Sequence, residues 1–93
     1  MFVGIFQFEL FIPESNSLKE KRFILQSIKT KLRNRFNISI AEVGHNDKWQ
    51  RAVLGISVVA NEKRFIDEVS GKILAFIERE SRVQIIDYTC EII

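Results

Sequence analysis

The chain has 93 residues, one cysteine and a net charge of +2, with 46% hydrophobic and 28% charged residues. This length allows one core, so we expect a single domain over residues 1–93. The composition excludes a disordered or fibrous protein, and a lone cysteine excludes an internal disulfide. Apolar stretches are too short to cross a bilayer. We therefore predict a cytoplasmic protein in which Cys90 is a small buried side chain.

The first half of the chain predicts a strand followed by a helix. Apolar and polar residues alternate from Phe2 to Ile12, as in a half-buried strand, and Pro13 ends it because proline donates no ladder hydrogen bond. Ser17 and Glu20 have the spacing of a capping box, so a helix is predicted from Leu18 to about Arg35. Its apolar stripe consists of Leu18, Ile24, Leu25, Ile28, Leu32 and Phe36.

The second half predicts a hairpin, a helix and a last strand. Strands are expected over residues 37–44 and 49–60, the first with a blurred alternation that allows a bulge or an edge position. Asn61 is expected to cap a helix that runs to about Glu80, with a stripe of Phe65, Ile66, Val69, Ile73, Phe76 and Ile77. The last strand, residues 83–93, is expected to place on one face Ile86, Tyr88, Cys90 and Ile92.

This order of elements, βαββαβ, predicts an α+β ferredoxin-like sandwich, a four-stranded antiparallel sheet with two helices on one face. Right-handed crossovers put the first and third strands in the middle. The other face of the sheet is left open. It is expected to show Val3, Ile5, Gln7, Glu9 and Phe11 beside Arg51, Val53, Gly55, Ser57 and Val59, a surface apolar enough to bind a partner.

Basic residues are concentrated in the first predicted helix. Between Leu18 and Phe36 there are seven bases and one acid, whereas the rest of the chain has seven bases and eleven acids. This polarity favours a polyanionic partner. The residues predicted to contact nucleic acid are Lys19, Arg22, Lys29, Arg33 and Phe23, which lies off the apolar stripe. The alternative interpretation is a solvated helix face that keeps the protein in solution.

Two other functions of this fold are disfavoured by the sequence. An RNA recognition motif needs exposed aromatic rings on its third strand, and here that strand reads Arg-Ala-Val-Leu-Gly-Ile-Ser-Val from Arg51. An acylphosphatase-like hydrolase needs a glycine-rich loop after the first strand to bind phosphate. Residues 13–17 contain no glycine, so we predict neither base reading on the sheet nor catalysis on that plan.

The segment from His45 to Arg51 is the densest cluster of reactive side chains. It has too few ligands for a metal site and no nucleophile near His45 and Asp47, so no catalytic residue, metal or cofactor is predicted. We interpret it structurally: Asp47 caps the turn, Trp49 covers the end of the sheet, and Arg51 pairs with an acid such as Glu9. As an alternative, the segment provides an interaction surface made of Asp47, Trp49, Gln50 and Arg51.

Three segments in the right order and spacing suggest a family. They read Ser-Leu-Lys-Glu-Lys-Arg from Ser17, Phe-Asn-Ile-Ser-Ile-Ala-Glu-Val from Phe36 and Asp-Lys-Trp-Gln-Arg-Ala-Val-Leu-Gly from Asp47. With them the chain resembles, over nearly its whole length, the YlxP-like family of small bacterial proteins of unknown function. The resemblance lends no catalytic residues. Its patterned positions, candidates for a shared surface or for structural roles, are Lys19, Glu20, Lys21, Arg22, Asp47, Trp49, Gln50 and Arg51.

The resemblance implies the ferredoxin-like fold, a bacterial cytoplasmic origin and a gene neighbourhood shared with translation initiation and ribosome maturation factors. We therefore expect a non-enzymatic accessory domain that binds structured RNA or ribosomal particles through the basic face of the first helix. The alternative is a protein-interaction module that forms a homodimer through the open sheet face. No membrane partner is expected.

Overall fold

The computed structural model describes residues 1–93 and contains six regular elements. Strand β1 (Phe2–Phe11) is followed by helix α1 (Leu18–Arg35), strand β2 (Ser39–Gly44), strand β3 (Arg51–Ala60), helix α2 (Lys63–Glu78) and strand β4 (Gln84–Ile92). The predicted βαββαβ order is confirmed, although β2 and β3 each begin two residues later than the sequence indicates.

The four strands form one antiparallel sheet in the order β2-β3-β1-β4. As predicted, β1 and β3 lie in the middle, and they pair along their whole length, from Phe2 opposite Ala60 to Phe11 opposite Arg51. β2 is an edge strand whose register shifts between Glu42 and Gly44, which accounts for its blurred alternation. The chain therefore has the ferredoxin-like fold.

The core lies between the sheet and the two helices. It consists of 17 buried apolar residues. β1 and β3 supply alternate residues to it because successive side chains of a strand point to opposite faces. α1 supplies Leu25, Ile28 and Leu32 of the predicted stripe. Neither helix combines the length and the hydropathy that a membrane span requires.

The start of α1 confirms the predicted capping box. Ser17 is the N-cap, and its Oγ accepts a hydrogen bond of 3.0 Å from the backbone N–H of Glu20. The Glu20 carboxylate in turn accepts one of 2.9 Å from the N–H of Asn16. The Glu20 amide, which the first turn would leave free, is thereby satisfied, while the reciprocal bond of the carboxylate goes to the residue before the N-cap rather than to the N-cap itself.

The prediction for the last strand is wrong at Ile86, whereas Cys90 lies on the predicted face, opposite Phe6, but is not buried as expected. The pairing of β1 with β4 shifts register between Glu9 and Leu10, so that Ile85, rather than Ile86, lies opposite Leu10. Ile86 is consequently 47% exposed. Cys90 is exposed as well, because β4 is an edge strand with no buried residue.

Helix α2 begins one residue later than predicted, and four residues of its predicted stripe are buried: Ile66, Val69, Ile73 and Ile77. The N-cap residue of α2 is Glu62, not Asn61, and no side chain forms a capping hydrogen bond. Strand β3 stays paired with β1 up to Ala60, so Asn61 and Glu62 form the turn between β3 and α2. Phe65 is 49% exposed rather than buried. Ser70 is buried instead and hydrogen-bonds to the Tyr88 hydroxyl. The buried stripe of α2 is therefore turned toward β4.

The second face of the sheet is open, as predicted, and we call it the open face. Odd-numbered residues of β1 and β3 face it, and they are half-buried or exposed. Val43 and Val59 are its most exposed large apolar side chains apart from the chain termini, at 56% and 61%. Toward β4 the open face carries three acidic residues. Glu9 lies opposite Asp87, and Glu91 lies opposite Ile5.

Gly4 provides a test of how the sheet packs on α2. A Cβ atom at this position would lie 2.5 Å from Ile66 Cγ2 and 3.0 Å from Val58 Cγ1, and both of those side chains are buried. We expect Gly4→Ala to lower the free energy of unfolding by about 1–3 kcal/mol, the usual cost of overpacking a core. Urea unfolding followed by circular dichroism measures this change.

Gly71 is the matched control. A Cβ atom there would meet no atom within 4 Å, and the residue lies exposed in the interior of α2. Gly71→Ala should raise the free energy of unfolding by about 0.5–1 kcal/mol, since glycine is a poor helix former. If both substitutions changed stability equally, α2 would not pack tightly against β1 at Gly4.

Candidate functional site

Four bases lie in one line along α1. Lys19, Arg22, Lys29 and Arg33, with Gln26 between them, are spaced alternately three and four residues apart and so share one flank of the helix. At 1.5 Å per residue, the line is about 21 Å long. None of the four side chains takes part in an ion pair. We call these four residues the basic row.

The basic row faces the edge strand β2. Arg33 shows this directly, because its guanidinium donates a hydrogen bond of 3.1 Å to the carbonyl oxygen of Ile40 in β2. Lys29 is half-buried, whereas Lys19 and Arg22 are exposed. The structure thus brings the four predicted bases together, but part of the hydrogen-bonding capacity of Arg33 is used within the protein.

Phe23, the fifth residue predicted to contact nucleic acid, adjoins only the beginning of the basic row. Its ring is 72% exposed, in agreement with its position off the apolar stripe. It lines a hollow of about 550 Å³ together with Lys19, Glu14, Glu20 and Arg82. Because both signs of charge meet in that hollow, Phe23 lies outside the purely cationic part of the helix.

Lys21 has a different role from the neighbouring bases. Its side chain is fully buried, and Nζ donates hydrogen bonds of 2.7 Å to a Glu42 carboxylate oxygen, 2.9 Å to the His45 carbonyl oxygen and 3.2 Å to the Arg51 carbonyl oxygen. A further carbonyl, that of Asn46, lies at 3.5 Å. One ammonium group therefore holds both ends of the segment between β2 and β3.

The burial of Lys21 is not among the sequence predictions, which count it as one of the bases of α1 and as one of the patterned positions of the family, although a signal for it is present. Lys21 is three residues after Leu18 and four before Leu25, and Ile28 and Leu32 continue the same spacing. It therefore occupies a core position of the helix. A lysine in such a position must find acceptors inside the protein, because an unpaired buried charge is strongly disfavoured.

The loop between β2 and β3 is also fixed from the side of β1. The side-chain amide of Gln50 donates hydrogen bonds of 3.1 Å and 3.2 Å to the carbonyl oxygens of Pro13 and Ser15. The backbone carbonyl of Gln50 accepts a hydrogen bond of 2.9 Å from the N–H of Ile12. His45, with a positive φ of 57°, begins the turn. These contacts attach the loop to the connection that leads into α1.

Arg51 and His45 converge on one carboxylate. An Arg51 Nη atom lies 2.6 Å from a carboxylate oxygen of Glu9, and His45 Nε2 lies 3.4 Å from the same oxygen. The predicted pairing of Arg51 with Glu9 is confirmed. The hydrogen bond from Arg51, followed by its positive charge, holds the pKa of Glu9 below its ordinary value despite some desolvation.

Two interpretations of this loop are wrong. Asp47 forms no capping hydrogen bond, because the turn is closed by the N–H of Lys48 on the His45 carbonyl at 3.0 Å. Trp49 leaves 57% of its surface exposed, so it does not form a buried cover for the sheet. Of the predicted interaction surface, Gln50 and Arg51 maintain the loop itself, while Asp47 and Trp49 are presented to solvent.

No three His, Cys, Asp or Glu side chains are arranged to hold a metal ion. His45 and Glu9 form a pair with Arg51, which is a structural ion-pair arrangement and not a coordination sphere.

Lys21→Met tests the buried ammonium group. The substitution keeps the apolar stem but leaves the largely buried Glu42 carboxylate, 14% exposed, and several carbonyl groups without a donor. We expect the free energy of unfolding to fall by about 3–5 kcal/mol, as when one partner of a buried ion pair is removed. Lys29→Met, on the outer flank of the same helix, is the control and should change stability by less than about 0.5 kcal/mol.

Urea unfolding distinguishes these variants. Adding Glu42→Leu to Lys21→Met removes the unpaired carboxylate and should recover part of the loss. If Lys21→Met proved as stable as Lys29→Met, the hydrogen bonds of the Lys21 ammonium would not stabilise the folded state.

The lowered pKa of Glu9 predicts a pH dependence of stability. The folded protein favours the ionised carboxylate, so this contribution is fully present above the ordinary pKa of 4.5. It is lost as the pH falls through the lower pKa of the folded state. Glu9→Gln should therefore be less stable than the wild type at neutral pH, and its stability should change less on acidification.

The control for this comparison is Glu68→Gln, which removes an exposed carboxylate of α2 that has no ion pair. Thermal unfolding between neutral pH and about pH 3 measures both variants. An acid dependence of Glu9→Gln identical to that of the wild type would show that the contact with Arg51 does not stabilise the folded state.

Comparisons with known proteins agree with the family suggested by the sequence. Residues 3–90 match the model of a family described as "Protein of unknown function (DUF503)". The uncharacterized protein YlxP of Bacillus subtilis (strain 168) is 40% identical over 76 residues, 82% of this chain and 83% of the relative.

One solved structure is similar in fold. The de novo designed protein LFR1 1 with ferredoxin fold, determined by NMR in solution, has a TM-score of 0.53 and 17% identity over 100% of this chain and 84% of the designed chain. At that identity the likeness concerns the fold alone. From the family match and the Bacillus relative, we conclude that the chain belongs to the YlxP-like family of proteins of unknown function.

Proposed function

We propose that this protein is a non-enzymatic accessory domain that binds structured RNA or a ribosomal particle through the basic row. The observation that carries the proposal is a line of four bases with no carboxylate partner. Such a line can neutralise successive backbone phosphates without reading sequence. Folded RNA is bound largely through shape and backbone contacts of this kind. A bacterial cytoplasmic location is part of the same proposal.

The open face is less suited to RNA than the flank of α1. Proteins of this fold that read bases on the sheet use exposed aromatic rings there, and the exposed apolar side chains of this face are aliphatic. Asp87 and Glu91 add negative charge on the side of β4, where Glu9 is already paired with Arg51. Because phosphate is repelled from that side, the basic row is the favoured surface.

The proposal of a non-enzymatic role is supported by how the reactive groups are used. The Lys21 ammonium is saturated by carbonyl and carboxylate acceptors. His45 contacts Glu9, which also binds Arg51. These groups are engaged in maintaining the loop, which argues against a role in turnover.

Self-association through the open face is the second candidate. It is favoured by a shallow hollow of about 470 Å³ over β2 and β3, lined by Ile5, Ala41 and Val43 among others. Gly55 contributes no side chain there. This candidate is weaker, because association through this face would remove water from the carboxylates of Asp87 and Glu91. No base of the open face pairs with them to offset that cost.

Charge reversal in the basic row tests the proposed function. Arg22→Glu combined with Lys29→Glu leaves the internal hydrogen bonds intact, because neither side chain forms one. The probe is a labelled RNA hairpin, and binding is followed by fluorescence anisotropy. Wild-type affinity should fall roughly 30-fold between about 50 and 150 mM salt if four phosphates are contacted, and the double variant should bind more than about tenfold more weakly at low salt.

The matched control is Arg64→Glu combined with Lys72→Glu, which makes the same charge change on α2. It should retain most of the wild-type affinity, because Arg64 and Lys72 lie on α2 and not along the basic row. Equal losses in both double variants would indicate a general charge effect and would contradict the proposed surface. Absence of RNA binding at low salt, together with a light-scattering mass that doubles with concentration, would favour self-association instead.

A further inference from the structure

Trp49 is an exposed aromatic side chain on a loop with a fixed backbone. Its surface is 57% exposed, although large aromatic side chains usually bury most of their area. The backbone on both sides is held, by Lys21 at residues 45 and 51 and by the Gln50 contacts to Pro13 and Ser15. The ring is therefore presented to solvent from a backbone that is held in place, which lowers the entropic cost of ordering the loop on binding.

The loop that carries Trp49 adjoins the beginning of the basic row. Lys21, which binds the loop, is the residue before Arg22 in α1. Gln50, the residue after Trp49, bonds to the connection that ends at the N-cap of the same helix. The loop that carries Trp49 and the first two bases of the row, Lys19 and Arg22, thus occupy the same end of the molecule.

We propose that Trp49 stacks on an unpaired base of the RNA whose phosphates contact the basic row. This inference rests on the proposed function and names the class of RNA: one with a loop, bulge or single-stranded end next to a helix. Inside a regular duplex every base is stacked on its neighbours and only the terminal pairs have a free ring face, so away from the ends an aromatic side chain can stack only on an unpaired nucleotide. Such stacking tolerates any base.

Two exposed charged side chains precede Trp49, and neither forms an ion pair: Asp47 and Lys48. The Asp47 carboxylate can accept a hydrogen bond from an exocyclic amino group of a base. The Lys48 ammonium can contact the phosphate of the same nucleotide. The tip of the loop therefore offers groups for one whole nucleotide, while the basic row contacts the phosphates of the adjoining helix.

Trp49 is the only tryptophan of the chain, so tryptophan fluorescence reports on this residue alone. The probes are an RNA hairpin with an unpaired loop and a longer duplex that contains the same stem sequence, in which the two terminal pairs are a small fraction of the binding positions. Both should bind through the basic row, but only the hairpin should quench the fluorescence. Trp49→Ala should weaken hairpin binding about fivefold or more and leave duplex binding unchanged, and Trp49→Phe should keep most of the hairpin affinity.

Several results would overturn the inference while the proposed function stands. One such result is that the hairpin binds the wild type without quenching tryptophan fluorescence and binds Trp49→Ala with unaltered affinity. Another is that Trp49→Ala loses equal affinity for the hairpin and for the duplex. A fluorescence change that follows protein concentration in the absence of RNA would assign Trp49 to a protein contact and overturn it too. If neither RNA bound the wild type at low salt, the proposed function itself would fail, and the inference with it.

Discussion

The buried ammonium group of Lys21 connects the parts of this molecule that bear on its function. It lies among apolar side chains at a core position of α1, and its hydrogen bonds go to Glu42 and to backbone carbonyls at both ends of the β2–β3 loop. An apolar residue could fill the same space without the cost of removing a charge from water. It could not, however, hold the loop in one conformation, because those carbonyls would lack a donor.

The spacing of residues in α1 explains why the cationic flank lies where it does. Leu18, Lys21, Leu25, Ile28 and Leu32 form the line that faces the core, and each member of the second line, Lys19, Arg22, Gln26, Lys29 and Arg33, follows one of them by a single residue. One residue is about 100° of helical rotation. The basic row therefore lies on the side of the helix next to the sheet edge, which is why Arg33 reaches the backbone of β2.

Most of the fold can be predicted from the sequence because its signals are local. Alternation along β1 and β3, the apolar stripe of α1 and the capping box at Ser17 each depend on residues close together in the chain. The errors lie where distant residues decide. The bulge that exposes Ile86 depends on how β1 pairs with β4. The start of α2 depends on how far β3 pairs, so a favourable capping residue at Asn61 is not sufficient.

The candidate site is predictable in part for the same reason. The bases of α1 follow from helical spacing alone, and the pairing of Arg51 with Glu9 follows from their places on neighbouring strands. The bonds of Gln50 join residues 35 and 37 positions apart, which no local pattern indicates. Lys21 escapes prediction for another reason: lysine is so rarely buried that even a place in the apolar line of α1 suggests surface charge.

The way the β2–β3 loop is anchored separates its framework from its tip. Its anchors are backbone carbonyls and the side chains of Lys21 and Gln50, while the side chains of Asp47, Lys48 and Trp49 form none of the contacts that hold it. Substitutions at these three positions should accordingly change what the tip of the loop contacts without loosening the contacts that hold the loop to the rest of the domain.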